Sequence, residues 1–392
     1  MSRPLFVLFL TILVNLIGFG IIIPLLPFYA ETFGASPVVI GLLFASFSMA
    51  QLISAPLLGE WSDRWGRRPV LILSLIGTAV SFAMLAMAGS LAMLFAARIV
   101  DGLSGGNITT ARAYIADITT EEDRAKSYGI LGAAFGLGFI IGPGLGAIFS
   151  QISYTAPIWV AVFVTLVATA LAWVWLPETV HRAQAGGGSP WKAVTEMAGR
   201  PHLRLLLGID FVYWMSFAVY QTTFALFGAR RFGFDAAQTG YFLSAFGLLG
   251  VIVQGGFVGP IVKRLGERRT LAVGLACAAV GWGGSALTYS LPLLTLLLVP
   301  GAIGIGLCNA TLSALISHTA SPGEQGRVQG AAGALESLGR VAGPIWGNGA
   351  LQAFGEGTAY GAAAILLTGA SVTVLRSPAP PRAASPGPPV DR

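Results

Sequence analysis

Long apolar runs separated by short polar gaps fill the chain almost from end to end. Twelve runs reach the ~20 residues an α-helix needs to cross the ~30 Å hydrocarbon core of a bilayer. Their limits are 5–30, 38–59, 69–89, 91–117, 125–150 and 155–176, then 203–229, 237–262, 270–290, 292–318, 326–353 and 357–376. Lipid offers no partner for free backbone N–H and C=O groups, so the pattern predicts twelve transmembrane helices. The first run starts like a signal peptide, with Arg3 ahead of apolar residues. It continues too long, carries Pro24 and Pro27, and lacks a small-residue cleavage site, so it reads as a retained helix.

The polar gaps carry a repeat. "GEWSDRWGRRPVL" (59–71) is followed 200 positions later by "GPIVKRLGERRTL" (259–271). "GPGLG" from Gly142 returns as "GPIWG" from Gly343. Two six-helix halves in parallel register explain both, and such repeats place a substrate site at the interface of the halves near mid-membrane. The expected architecture is therefore an all-α membrane protein of two pseudo-symmetric halves, 1–176 and 203–376. Residues 177–202 form a linker on the charged side, with a Gly-Gly-Gly-Ser-Pro core and a short surface helix over Pro190–Ala198. Residues 377–392 are too proline-rich to fold and are expected to be a disordered tail.

Composition sharpens this. Of 392 residues, 55% are hydrophobic and 10% charged, where a soluble domain has about a quarter charged. The 52 glycines suit close helix packing in lipid. A net charge of +6 could suggest nucleic acid, but the charges lie in the gaps and form no patch on one domain, so no nucleic-acid partner is expected. Of 23 Lys and Arg residues, eighteen fall on the side of the termini, two (Arg230, Arg231) on the other, and three within spans. The positive-inside rule then places both termini in the cytoplasm and the protein in the plasma (inner) membrane. Cys277 and Cys308 sit in apolar runs as packing residues, and no histidine has metal-ligand spacing with another, so no metal is expected.

Three groups of residues carry candidate chemistry. The first is the charged loop, where Asp63 stands among Arg64, Arg67 and Arg68, within reach of Arg112 and Asp117. Topology needs the arginines and not Asp63, which points to a latch of ion pairs holding the halves together when the pore faces outward. The second is intramembrane charge, which costs ~2.5–3.5 kcal/mol per residue and so marks function or pairing. Arg98 and Asp101 are three apart on span four, and Glu336 and Arg340 four apart on span eleven. Asp210 lies in span seven with no local cation. As proton carriers Asp101 ranks first, Glu336 second and Asp210 third. Static ion pairs are the competing reading for the two pairs, and snorkelling to the membrane edge for Asp210. The third is a cavity wall: Trp214, Phe217, Gln221 and Phe224 fall on one stripe with Asp210, and Asn15, Gln51, Gln254 and Asn309 are further mid-span amides. Packing and interhelical hydrogen bonding compete with substrate contact for all of these. Gly142-Pro143 and Gly343-Pro344 read as bend and gating points.

These motifs resemble a known family. "GEWSDRWGRRPVL" is similar to the signature loop of the major facilitator superfamily, and "FAARIVDGLSGG" to its span-four motif, with Arg98 and Gly102 in the matching places. "GLGFIIGPGLGA" resembles the span-five motif of drug/proton antiporters. "GFGIIIPLLP" and "AYIADIT" (113–119) point to the tetracycline-efflux branch of the twelve-span group. The resemblance implies the major facilitator fold, alternating access, and export of small amphipathic molecules driven by inward proton flow. The expected partners are a small-molecule substrate, protons as the coupling ion and the lipid bilayer, with no other cofactor and a monomeric carrier. The tetracycline branch carries membrane acids in spans one, three and nine; here Asn15, Ser81 and the neutral stretch around Cys277 stand there, and Lys263 replaces the loop acid in the second half. A facilitator or proton symporter of a small metabolite is the alternative. An enzyme is not expected: the spans hold no HExxH or paired His/Asp constellation, and no Walker motif supports ATP use.

Overall fold

The computed structural model of the chain describes residues 3–105, 107–119, 121–179, 190–319 and 324–377. The glycine-rich linker core and the tail expected to be disordered thus lie outside the described residues, except Pro190 and Ser377 at their edges. The first half holds α1 (Arg3–Glu31), α2 (Pro37–Trp65), α3 (Arg67–Ala86), α4 (Leu91–Ser104), α5 (Asn107–Ile118), α6 (Glu121–Ser150) and α7 (Ala156–Trp175). After α8 (Pro190–Ala198) come α9 (Pro201–Phe232), α10 (Ala236–Ile252), α11 (Val258–Leu265), α12 (Glu267–Leu287), α13 (Leu291–His318), α14 (Gln325–Phe354) and α15 (Thr358–Arg376).

Among the described residues, ten helical segments are long and apolar enough to cross a membrane, with α10 and α11 counted as one. The other two expected spans are α4 with α5, and α14. Span four, expected to be continuous, breaks at Gly105. Gln51 of α2 donates to the Gly105 carbonyl at 2.9 Å and so satisfies the interrupted backbone. Span eight is interrupted by a π-helical turn, Val253–Phe257, that contains Gly255 and Gly256. Two adjacent glycines weaken the α-helical preference there. α14 is 30 residues long but diluted by glycine and charge.

The repeat governs the packing within each half. Gly138, Gly142 and Gly146 of α6 face Leu16, Ile17, Gly20 and Ile21 of α1. Gly339, Gly343 and Gly347 of α14 face Phe211, Met215, Ala218 and Val219 of α9 in the same way. Glycine every fourth residue lets two backbones approach without intervening side chains. α6 and α14 run through Pro143 and Pro344 without a break.

The halves meet along two seams, α2 on α14 and α6 on α10. The tight approaches lie toward the ends remote from the charged loops. Val38 N–H donates to Gln352 Oε1 (3.1 Å), and Gln151 Nε2 to the Tyr241 hydroxyl (3.3 Å). The Ser244 hydroxyl donates to the Ile140 carbonyl. Toward the charged end, Gly59 of α2, Gly132 of α6, Gly255 and Gly256 of the π turn, and Gly330 and Gly333 of α14 have open space where a Cβ would stand. The molecule is thus closed at the end bearing Arg230 and Arg231 and splayed at the charged end.

The linker is shared between the halves. Met197 of α8 is buried with the second half's core, Glu196 pairs with Arg327, and Arg200 meets Glu324 at 2.6 Å. That carboxylate pushes the Arg200 pKa up, chiefly by hydrogen bonding.

Candidate functional site

At the charged end the α2–α3 junction turns at Gly66, whose φ of 110° favours glycine. The turn brings Arg67 inward to a nearly buried position. Its guanidinium pairs with Asp63 one turn back, with Asp117 of α5 at 3.1 Å, and with the Ser62 hydroxyl at 2.6 Å. Its backbone N–H donates to Glu178 Oε1 at 3.0 Å. Arg68 reaches the Trp173 carbonyl near the end of α7, and Arg64 pairs with exposed Glu60. Asp63, Arg67 and Asp117 do come together, as the sequence suggested. Their ion pairs, however, join α2, α3 and α5 of one half, not the two halves to each other. This follows from the splayed geometry, which keeps the second half away from the loop. The Arg112 side chain lies outside the described residues. Glu178 was not foreseen: it is 111 residues from its partner, and no local pattern announces it.

The second half repeats the junction with the charges exchanged. Glu267 stands 200 positions after Arg67, and pairs with His318 of α13 at 3.0 Å. Arg268 keeps the role of Arg68, donating to the Val374 and Leu375 carbonyls at the end of α15.

Within the membrane, Arg98 and Asp101 pair at 2.8 Å with side chains 1% and 8% exposed. The guanidinium lies 4.3 Å from the centre of the Phe47 ring of α2, while its Nε and Nη2 have no hydrogen-bond partner. Ser81 of α3 lies beside the Asp101 carboxyl. The position where the tetracycline branch carries an acid on span three therefore adjoins an acid on span four.

The second charged group brings Asp210, read as isolated in the sequence, to the expected Glu336–Arg340 pair. Arg340 lies 3.7 Å from Glu336 on α14 and 5.0 Å from the centre of the Trp214 ring on α9. Asp210, 2% exposed, adjoins Glu336, Arg340 and Trp214, and its Oδ2 has no hydrogen-bond partner. Asp210 is therefore enclosed within the second half, with Arg340 of another helix in its electrostatic surroundings.

The expected cavity wall divides. Trp214, Phe217 and Gln221 are half-buried, but Phe224 is fully buried in an aromatic core with Tyr220 and Phe242. Asn15 and Asn309 are half-buried and Gln254 is exposed in the π turn. Gln51 is held by Gly105. A wall from the first half was missed: Phe19 of α1 lies 5.6 Å from Phe47 and 6.3 Å from Phe139 of α6, ring centre to ring centre. Phe19 and Phe139 also pack against the core of the second half. The signal was available in Phe47, one turn before Gln51 on the same face of α2. Charged groups in both halves and aromatic walls between them suit an amphipathic ligand.

The family model for the Major Facilitator Superfamily matches residues 8–344 and again 255–390. The chain is 34% identical to the class E tetracycline resistance protein of Escherichia coli, over 88% of this chain and 87% of that one. It is 35% identical to the class G tetracycline resistance protein of Vibrio anguillarum (84% and 85%), and 30% identical to multidrug resistance protein 2 of Bacillus subtilis (88% and 88%). Among solved structures it superposes on the human organic anion transporter MFSD10 with a TM-score of 0.74 and 26% identity, covering 95% and 99% of the two chains. A bacterial homologue of the human lysosomal transporter Spinster, inward-facing and occupied, gives 0.75 at 17% identity (96% and 96%), a likeness of fold.

Proposed function

The chain belongs to the Major Facilitator Superfamily, and we propose that it is a proton-coupled exporter of small amphipathic drugs, working by alternating access. The observation that carries this reading is the buried Arg98–Asp101 pair, 2.8 Å long, lodged in a span with two guanidinium nitrogens unpartnered. A permanently inert bridge gains nothing from leaving those donors unpaired in a low-dielectric interior. The relatives named for tetracycline and multidrug resistance support the substrate class, and the aromatic walls suit it.

The charged end faces the cytoplasm in this reading, so the splayed structure is the inward-open state. Drug enters there from the cytoplasm and rests between Phe19, Phe47 and Phe139 on one side and Trp214 and Phe217 on the other, with Asn15, Gln221, Gln254 and Asn309 as polar handles. Asp101 carries the proton. Arg98 holds it ionised until helix motion loosens the pair, whereupon it takes a proton from outside. Protonation lets the carrier return inward without drug, and release inside resets it. The Asp210–Glu336–Arg340 group is the second candidate for this role.

Reconstituted vesicles with an imposed pH gradient test it, using tetracycline and a panel of amphipathic drugs. Asp101→Asn mimics the loaded state throughout: it should bind drug and exchange it, yet lose uphill accumulation. Full uphill transport by Asp101→Asn with loss in Glu336→Gln would move the proton to α14. Transport of every substrate without any dependence on the gradient would make the protein a facilitator.

A further inference from the structure

A groove of about 570 Å³ lies on the flank of the second half, between α9 and α15. It is separate from the central path: α15 packs chiefly on α12 and α9 of its own half. The lining changes character along its length. α9 begins at Pro201 and α15 ends at Arg376, so Pro201, Arg204 and Thr373 stand at the charged end. Deeper in the membrane come Leu205, Gly208, Ile209, Val212, Leu366 and Ala370, all apolar. From Arg204 to Val212 the helix rises about 12 Å.

Two observations say what fits. Nothing stands within 4 Å of a Cβ built at Gly208, so a missing side chain makes the space. Arg204 is exposed and forms no ion pair among the described residues, whereas Arg200 and Arg268 nearby are engaged by Glu324 and by backbone carbonyls. An apolar slot along the bilayer normal that ends in an unpaired guanidinium matches a molecule with an acyl chain and an anionic head. Arginine presents a planar fork of donors suited to phosphate oxygens. We propose that the α9–α15 groove binds one anionic phospholipid of the leaflet at the charged end, its chain lying over Gly208 and its phosphate at Arg204.

Native mass spectrometry of the purified full chain, given equal amounts of dioleoyl phosphatidylglycerol and dioleoyl phosphatidylcholine, reads the preference directly. The wild type should retain one phosphatidylglycerol with a preference of roughly fivefold or more, the scale of one cation acting near an anionic surface. Arg204→Gln should bring the ratio close to one. Gly208→Phe, which fills open space rather than the packed core, should reduce retention of both lipids. Arg264→Gln, which removes a different arginine at the same end, should leave the preference intact. An unchanged ratio in Arg204→Gln overturns the site. Equal loss in Arg264→Gln would show a general attraction to the basic end and would also overturn it. Loss only on removal of residues 378–392 would place the headgroup on the tail, with the same consequence.

Discussion

Gly41 of α2 rests so close to Pro344 of α14 that a Cβ at 41 would lie 2.4 Å from the proline carbonyl oxygen. Gly240 of α10 meets Pro143 of α6 in the same manner, at 2.6 Å. The two contacts are exchanged by the internal repeat, and each sets a glycine of one half against the Gly-Pro step of the other. The Gly-Pro steps thus present their glycines to their own half and their proline carbonyls to the opposite one. Gly41→Ala or Gly240→Ala should push a seam open at the sealed end. Overpacking of this kind costs about 1–3 kcal/mol, a shift of roughly 5–150-fold in a two-state equilibrium. Spin labels at Thr32 and Phe354, in different halves at that end, should report a longer distance in either variant. An unchanged distance distribution would remove these contacts from the gate.

Gly66 and Gly266 share the extended positive-φ conformation, at 110° and 77°. Their surroundings differ. A Cβ at 66 would lie 2.5 Å from Glu178 Oε2, whereas nothing surrounds 266. Gly266→Ala should therefore lower stability by backbone strain alone, about 1–3 kcal/mol. Gly66→Ala should cost more, because Glu178 must also release the Arg67 N–H. Thermal unfolding of the two variants side by side checks the order.

Arg340 pairs with Glu336 on its own helix and acts electrostatically on buried Asp210 of α9. Arg340→Gln should leave Asp210 and Glu336 facing each other and lower the melting temperature. Adding Glu336→Gln should recover most of the loss, since the repulsion then disappears. If the double variant is no more stable than Arg340→Gln alone, the three side chains are not acting as one electrostatic unit.

Orientation follows from the charge pattern. A single cysteine at Arg230 should react with an impermeant reagent added to intact cells. One at Arg264 should react only after the membrane is opened. The reverse pattern would invert the transport direction proposed above.

The spans were legible because membrane helices advertise themselves by length and apolarity, and the halves because the loop and the Gly-Pro steps recur. The places where this failed have a common physical cause. The break at Gly105 is repaired by Gln51 from another helix, and hydropathy alone does not contain that partner. The π turn at 253–257 is a local choice among helical hydrogen-bond registers. Asp210 looked isolated because its cation lies 130 residues away on α14. The seams are built from glycines and backbone carbonyls, and the absence of a side chain gives no sign of which neighbour will use the space. The loop residues were correctly grouped, yet the half in which their partners lie depends on which end of the transporter is open.

The joint between the halves is tied down on both sides. Glu178 is bonded to the first half through Arg67, while Glu196 and Arg200 are paired with Arg327 and Glu324 of the second. In sequence, residues 179–195 separate these anchorages. A gene divided within that segment would yield two polypeptides, each with six spans and each with its own end already stitched in place. Made together, they would still present matching glycine and proline steps along α2–α14 and α6–α10, so recognition between them does not depend on a shared peptide bond.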